Sequence, residues 1–323
     1  MLFSPSRMFS TFPPCSWLPV FKRRLSSSST RWFLKVLKEH DPVLSLFILA
    51  TPAFFVLFWP ADPSGSLRKE IISFVALTTL LYGIHRQKLA PQLIAVAVQG
   101  VAGFASEATV FFAPVFIALL LLSRDRTRSR RLDIALISII ILSAAAALAH
   151  SALNTQVADH RDVCRPLLER GVGENICSGA IRILESSLQL ERSRIAGLSS
   201  ERALTAFFLV YLFAFLPFLY IAALSENPRR WLAGIVVSGI VFAPLYVVAL
   251  DWGRWMSFHA ISIACLMLVA IRYGHLRFRQ NPSGKVALVF LGLALFVTPE
   301  HKFGLTGGWV IRLVDNITKV LIG

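Results

Sequence analysis

Apolar residues come in long blocks along this chain. They show neither strict strand alternation nor the one-faced stripe of a soluble helix. The blocks cover 43–60, 71–84, 91–104, 109–122, 134–150, 204–224, 231–250, 256–271 and 286–297, with polar or basic connectors between them. Many approach the roughly 20 residues a spanning helix needs, and the alternation of a membrane barrel is absent. The pattern predicts an all-α polytopic helical membrane protein with about nine transmembrane helices and one long extracytoplasmic loop, 151–202. The stretch 91–122 reads either as two short spans or as an interfacial helix followed by one span. Residues 1–42 form a basic, Ser-rich tail, 43–298 the transmembrane domain and 299–323 a C-terminal tail.

Composition supports this class. The chain of 323 residues is 55% hydrophobic and 16% charged, with a mean hydropathy of +0.65. A soluble globule of that length needs more polar surface. The net charge of +15 sits in the connectors. Arg124, Arg126, Arg128, Arg130 and Arg131 fill one, Arg229 and Arg230 end another, and Arg272, His275, Arg277, Arg279 and Lys285 occupy a third. Short loops rich in Lys and Arg stay cytoplasmic. Placing 124–131 inside puts 225–230 and 272–285 inside as well, and leaves 151–202 and 251–255 outside. The long loop carries seven Arg and seven acids, a neutral balance compatible with export. The expected location is a bacterial inner membrane, multi-pass, with the N-terminus cytoplasmic. Charge held between spans argues against a nucleic-acid partner. The tail reads as disordered and cytoplasmic, or as an organellar transit peptide, since it is rich in Arg and Ser and poor in acids.

Cys164 and Cys177 share the long loop, which makes them a candidate disulfide in an oxidising compartment. Cys15 and Cys265 lie elsewhere. After these cysteines, Ile181, Leu184, Leu188 and Ile195 recur at helical spacing, as in an amphipathic helix on the membrane surface. No ligand set has metal-site spacing, and no cofactor is implied.

The densest chemistry is Asp251-Trp-Gly-Arg-Trp255, an acid, a guanidinium and two indoles between the blocks 231–250 and 256–271. Charge at the mouth of apolar helices is costly unless paired or used. Glu107, His150 and His259 fall on the same expected side. An Arg fork suits phosphate oxygens, and a nearby carboxylate suits proton removal from a hydroxyl. Gly253 allows a turn between the charged residues, and the indoles Trp252 and Trp255 offer flat faces to sugar or lipid, with His259 beside them. The bland readings use the same residues: Glu107 favouring a helix N-terminus, Asp251 and Arg254 pairing with each other, the indoles as interfacial anchors. Walker loops, His-Glu-x-x-His and Gly-x-Ser-x-Gly elbows are absent, and Gly171-Val-Gly173 follows no strand.

Ser106-Glu107-Ala-Thr-Val-Phe111-Phe112-Ala-Pro114, followed by Asp251-Trp-Gly-Arg-Trp255, resembles bacterial polytopic proteins of surface-polysaccharide gene clusters, similar to O-antigen or capsule polymerases. The family pattern has His-Glu where this chain has Ser106-Glu107, so Glu107 is the residue carried over. The resemblance implies a polymerase or glycosyltransferase that joins lipid-pyrophosphate-linked sugar units on the extracytoplasmic face. Arg254 would hold donor pyrophosphate, and Asp251 or Glu107 would act as base. Its partners would be the lipid-linked glycan, membrane lipids and other polysaccharide-assembly proteins. A transporter or flippase is the competing class, with a non-catalytic subunit of a membrane complex as a third. A transporter predicts mid-span charge and an internal repeat, neither of which stands out.

Overall fold

The computed structural model describes residues 70–124, 129–153, 159–171, 201–248 and 251–299, with a few further positions within 193–197 and 305–318. The expected span 43–60, the tail 1–42, Cys177 and most of the amphipathic segment 181–195 lie outside the described residues. The other eight apolar blocks are helical over their described residues, save Val297. They form α1 (Ile71–His85), α2 (Leu89–Ala105), a 3-10 turn (Glu107–Phe112) leading into α3 (Ala113–Leu122), and α4 (Arg130–Leu153). After α5 (His160–Leu168) come α6 (Glu201–Leu224), α7 (Pro228–Val248), α8 (Trp252–Arg272) and α9 (Gly284–Phe296). Helices 130–153, 204–224, 228–248 and 252–272 are long and apolar enough to cross a membrane. Helices α1, α2, the 107–122 unit and α9 are apolar but shorter.

Burial sorts these helices. Of the 21 residues of α8, 17 are buried, so it is the central helix, apolar on all sides as an enclosed helix must be. Helices α4 and α7 instead expose Ile141, Leu142, Val236, Val237 and Ile240. Apolar side chains turned outward on helices of this length suit lipid, where only a helix satisfies its own backbone. One core cluster joins α1, α2, α3, α4 and α8 around Phe112, Phe116 and Phe258. A second joins α6, α8 and α9 around Phe215, Phe218 and Met267.

Helices α1 and α8 run parallel and in register. Glu70 meets Arg254 at their starts, the Phe74 and Phe258 rings lie 5.9 Å apart, and Tyr273 Oη donates to Ile84 O at their ends. That far end gathers the basic connectors. His275 Nε2 lies 3.0 Å from Leu122 O, Arg279 donates to Ser225 O, and Glu226 N donates to Arg277 O. The opposite end holds Glu70, Asp251 and the Phe104–His150 ring contact. The connectors around 225–226 and 277–279 thus meet at one end of the described bundle.

Two local expectations change. Residues 251–255 are not a loop: Asp251 O accepts from Arg254 N and Trp255 N, so α8 begins there, four residues before the apolar block. Gly253 is a buried residue of the first helical turn, not a hinge. At the border of the expected C-terminal tail, Val297–Pro299 pairs with Leu305–Gly307 as a two-stranded antiparallel ribbon.

Candidate functional site

Asp251 is the N-cap of α8, yet its side chain makes no capping bond. It turns instead to Arg254, one helical turn on, with Arg254 Nη2 2.5 Å from Asp251 Oδ2. Arg254 Nη1 lies 2.7 Å from Glu70 Oε1. One guanidinium thus bridges two carboxylates brought together from positions 184 residues apart. Glu70 is buried, Arg254 is mostly covered, and Asp251 has 28% of its side chain exposed. The guanidinium also lies 5.3 Å from the centre of the Trp255 ring, a distance suited to cation–π attraction. The triad carries a formal charge of −1.

This arrangement alters the expected chemistry of Arg254. Each terminal nitrogen, which carries two N–H groups, already faces a carboxylate, so the fork expected to hold pyrophosphate is shared with two anions. Asp251 is the most exposed member of the three.

The indoles, expected as platforms for sugar, are buried. Trp252 Nε1 donates to Tyr246 O at 3.0 Å, and its ring meets Phe207 at 4.5 Å. Trp255 packs on Phe258. An aromatic that fills the gap between helices has no free face for a ligand, so both act here as anchors of the start of α8. His259, expected beside the substrate, is also enclosed. Its Nε2 lies 2.7 Å from Ser238 Oγ, and its Nδ1 is hydrogen-bonded to Tyr211 Oη. Ser238 Oγ donates to Ile235 O, which uses its only hydrogen. His259 Nε2 also lies 3.2 Å from Ile235 O. The ring ties α6, α7 and α8 together.

Glu107 opens the 3-10 turn on the surface, and His150 is exposed with its ring against Phe104. Among the described residues, no bond joins either of them to Glu70 or Arg254. Cys164 is buried and disulfide-bonded, and Cys265 is a free buried thiol. Sequence reasoning missed Glu70, Tyr211 and Ser238. Glu70 follows Arg68 and Lys69 and reads as part of a solvated charge cluster. Tyr211 and Ser238 sit inside apolar blocks where period alone gives them no distinction.

No protein-family model matches the chain, and neither does any curated protein or solved structure.

Proposed function

We propose that this protein works in surface-polysaccharide assembly, joining lipid-pyrophosphate-linked sugar units at the extracytoplasmic face of a bacterial inner membrane. The observation that carries the reading is the Glu70–Arg254–Asp251 triad at one end of a bundle of membrane-length helices, with Asp251 partly exposed. Support also comes from the resemblance of Asp251-Trp-Gly-Arg-Trp255 to polymerase-like proteins. The basic connectors gathered at the opposite end support an extracytoplasmic site, because such loops remain in the cytoplasm.

In this reading Asp251 accepts the proton of the acceptor hydroxyl. Arg254 orients Asp251, and Glu70 holds Arg254. Glu107 stands nearer the surface and is the second carboxylate available to an acceptor sugar. Donor pyrophosphate would have to bind beyond the triad, where the triad's negative charge does not oppose it.

The test is chain length in the native host. Asp251→Asn and Arg254→Lys, each present in membranes at wild-type level, should abolish long-chain polysaccharide and leave single lipid-linked units displayed outside. Wild-type chain length in both variants would sink the assignment. Units trapped inside would favour a flippase instead.

A further inference from the structure

Ser225, Glu226 and Asn227 alone join α6 to α7, and both helices are long and apolar enough to cross a membrane. A connector that short between two spans lies at the membrane surface. The α8–α9 connector is pinned to it. Gly274, with φ +72°, ends α8 in the left-handed conformation that suits glycine. The chain then runs back along the shorter connector. Glu226 N donates to Arg277 O and Arg279 N donates to Leu224 O, which sets Ser225 against Phe278 in an antiparallel bridge.

Extended backbone alternates its side chains, and this segment does. Leu276 is buried and Phe278 packs on the second core cluster, while His275, Arg277 and Arg279 are exposed. Arg279 is held in place, its Nε donating to Ser225 O and its Nη2 to Glu226 O. Arg277 Nε donates to Gly274 O. These acceptors are neutral carbonyls, so they fix the two guanidinium groups without cancelling their charge. Arg229 and Arg230 follow Glu226 by three and four residues, in the first turn of α7, and are exposed too. With Arg272 and Lys285 included, six cations stand against one acid, Glu226, over 224–231 and 272–285. Trp231, beside Arg230, packs on the second core cluster, at the depth where indoles mark the membrane interface. Orienting a chain in a membrane takes only charge in the right loops. Here backbone pairing also fixes where that charge stands.

We propose that this pinned corner, built from Arg229, Arg230, Arg277 and Arg279, is a docking surface for the headgroups of anionic phospholipids in the surrounding leaflet. Its charge is complementary to a lipid phosphate, and its position between membrane-length helices puts it at headgroup level. Basic clusters at that level attract anionic lipid. Arg277 and Arg279 keep terminal N–H groups beyond their carbonyl contacts, and a guanidinium pairs with phosphate oxygens through such groups.

Thermal unfolding of the full-length protein tests this. Nanodiscs of phosphatidylcholine are compared with nanodiscs of equal parts phosphatidylcholine and phosphatidylglycerol. A ligand bound only by the folded state raises Tm, so the wild type should melt several degrees higher in the anionic discs. The Arg229→Gln, Arg277→Gln double variant should lose about half of that rise or more. Each variant is compared with itself between the two discs, so a change in basal stability cancels. The control double, Arg130→Gln with Arg131→Gln, removes two exposed charges at the start of α4 and should keep the rise. No rise in the wild type overturns the surface. An equal loss in both doubles also overturns it, because the effect is then one of diffuse charge. Inorganic phosphate added to phosphatidylcholine discs should not reproduce the rise; if it does, the occupant is a soluble anion and the lipid assignment fails. The chain-length assay is read separately, so this surface and the polymerase reading fail independently.

Discussion

At the residue scale, the behaviour of Arg254 depends on a partner far away in sequence. Asp251 is three residues from Arg254 and was recognisable as its partner, because neighbours on one helical turn meet wherever a helix forms. Glu70 was not recognisable, because nothing local links it to α8. Its burial changes what a single substitution means. Arg254→Ala would strand the Glu70 charge in the interior, at a cost of about 3–5 kcal/mol. Glu70→Gln combined with Arg254→Met removes both charges and should cost much less. Thermal unfolding of both variants in nanodiscs checks this; an equal Tm for the single and the double would show that Arg254 does not compensate Glu70. It follows that lost activity in Arg254→Ala alone reports folding as much as chemistry, which is why Arg254→Lys is the informative functional variant.

At the element scale, the apolar blocks located eight helices because spanning and core helices have the simplest pattern of all. Their edges were harder. Asp251-Trp-Gly-Arg-Trp255 read as a connector because it is polar and contains a glycine, but its backbone is helical from Trp252 onward. The indoles decide this. They bury themselves against Phe207 and Phe258, which a solvent-facing loop would not allow. Close packing of the same kind governs Gly239 on α7. A Cβ there would stand 3.1 Å from His259 Cε1 and 3.3 Å from Tyr211 Oη, both fixed by the buried network. Gly239→Ala should therefore destabilise by about 1–3 kcal/mol, the usual cost of overpacking. Gly234→Ala is the control on the same helix. Its Cβ meets open space, so it should be neutral or gain up to about 1 kcal/mol from helix propensity. Equal melting of the two variants would remove the packing argument.

At the scale of the whole molecule, the bundle has one end rich in basic connectors and one end bearing the acid–guanidinium triad. Cysteine accessibility tests this in a background without other free thiols. Glu107→Cys and Leu153→Cys should react with an impermeant thiol reagent from one side of the membrane. Arg229→Cys and Arg277→Cys should react only from the other. Labelling of Leu153→Cys and Arg277→Cys from the same side would break the topology.

The sequence by itself determined the class of this protein, the positions of most helices and the segregation of basic loops, because hydropathy and loop charge act locally and along one dimension. It also pointed to Asp251 and Arg254, which share one turn. Only the tertiary structure decided that Glu70 completes their ion-pair set, and that the two indoles and His259 serve packing. Those facts depend on the parallel register of α1 and α8 and on the placement of Tyr211 and Ser238 around α8. Register between distant helices is set by side-chain fit across the bundle, and that fit is not written in the period of any single segment.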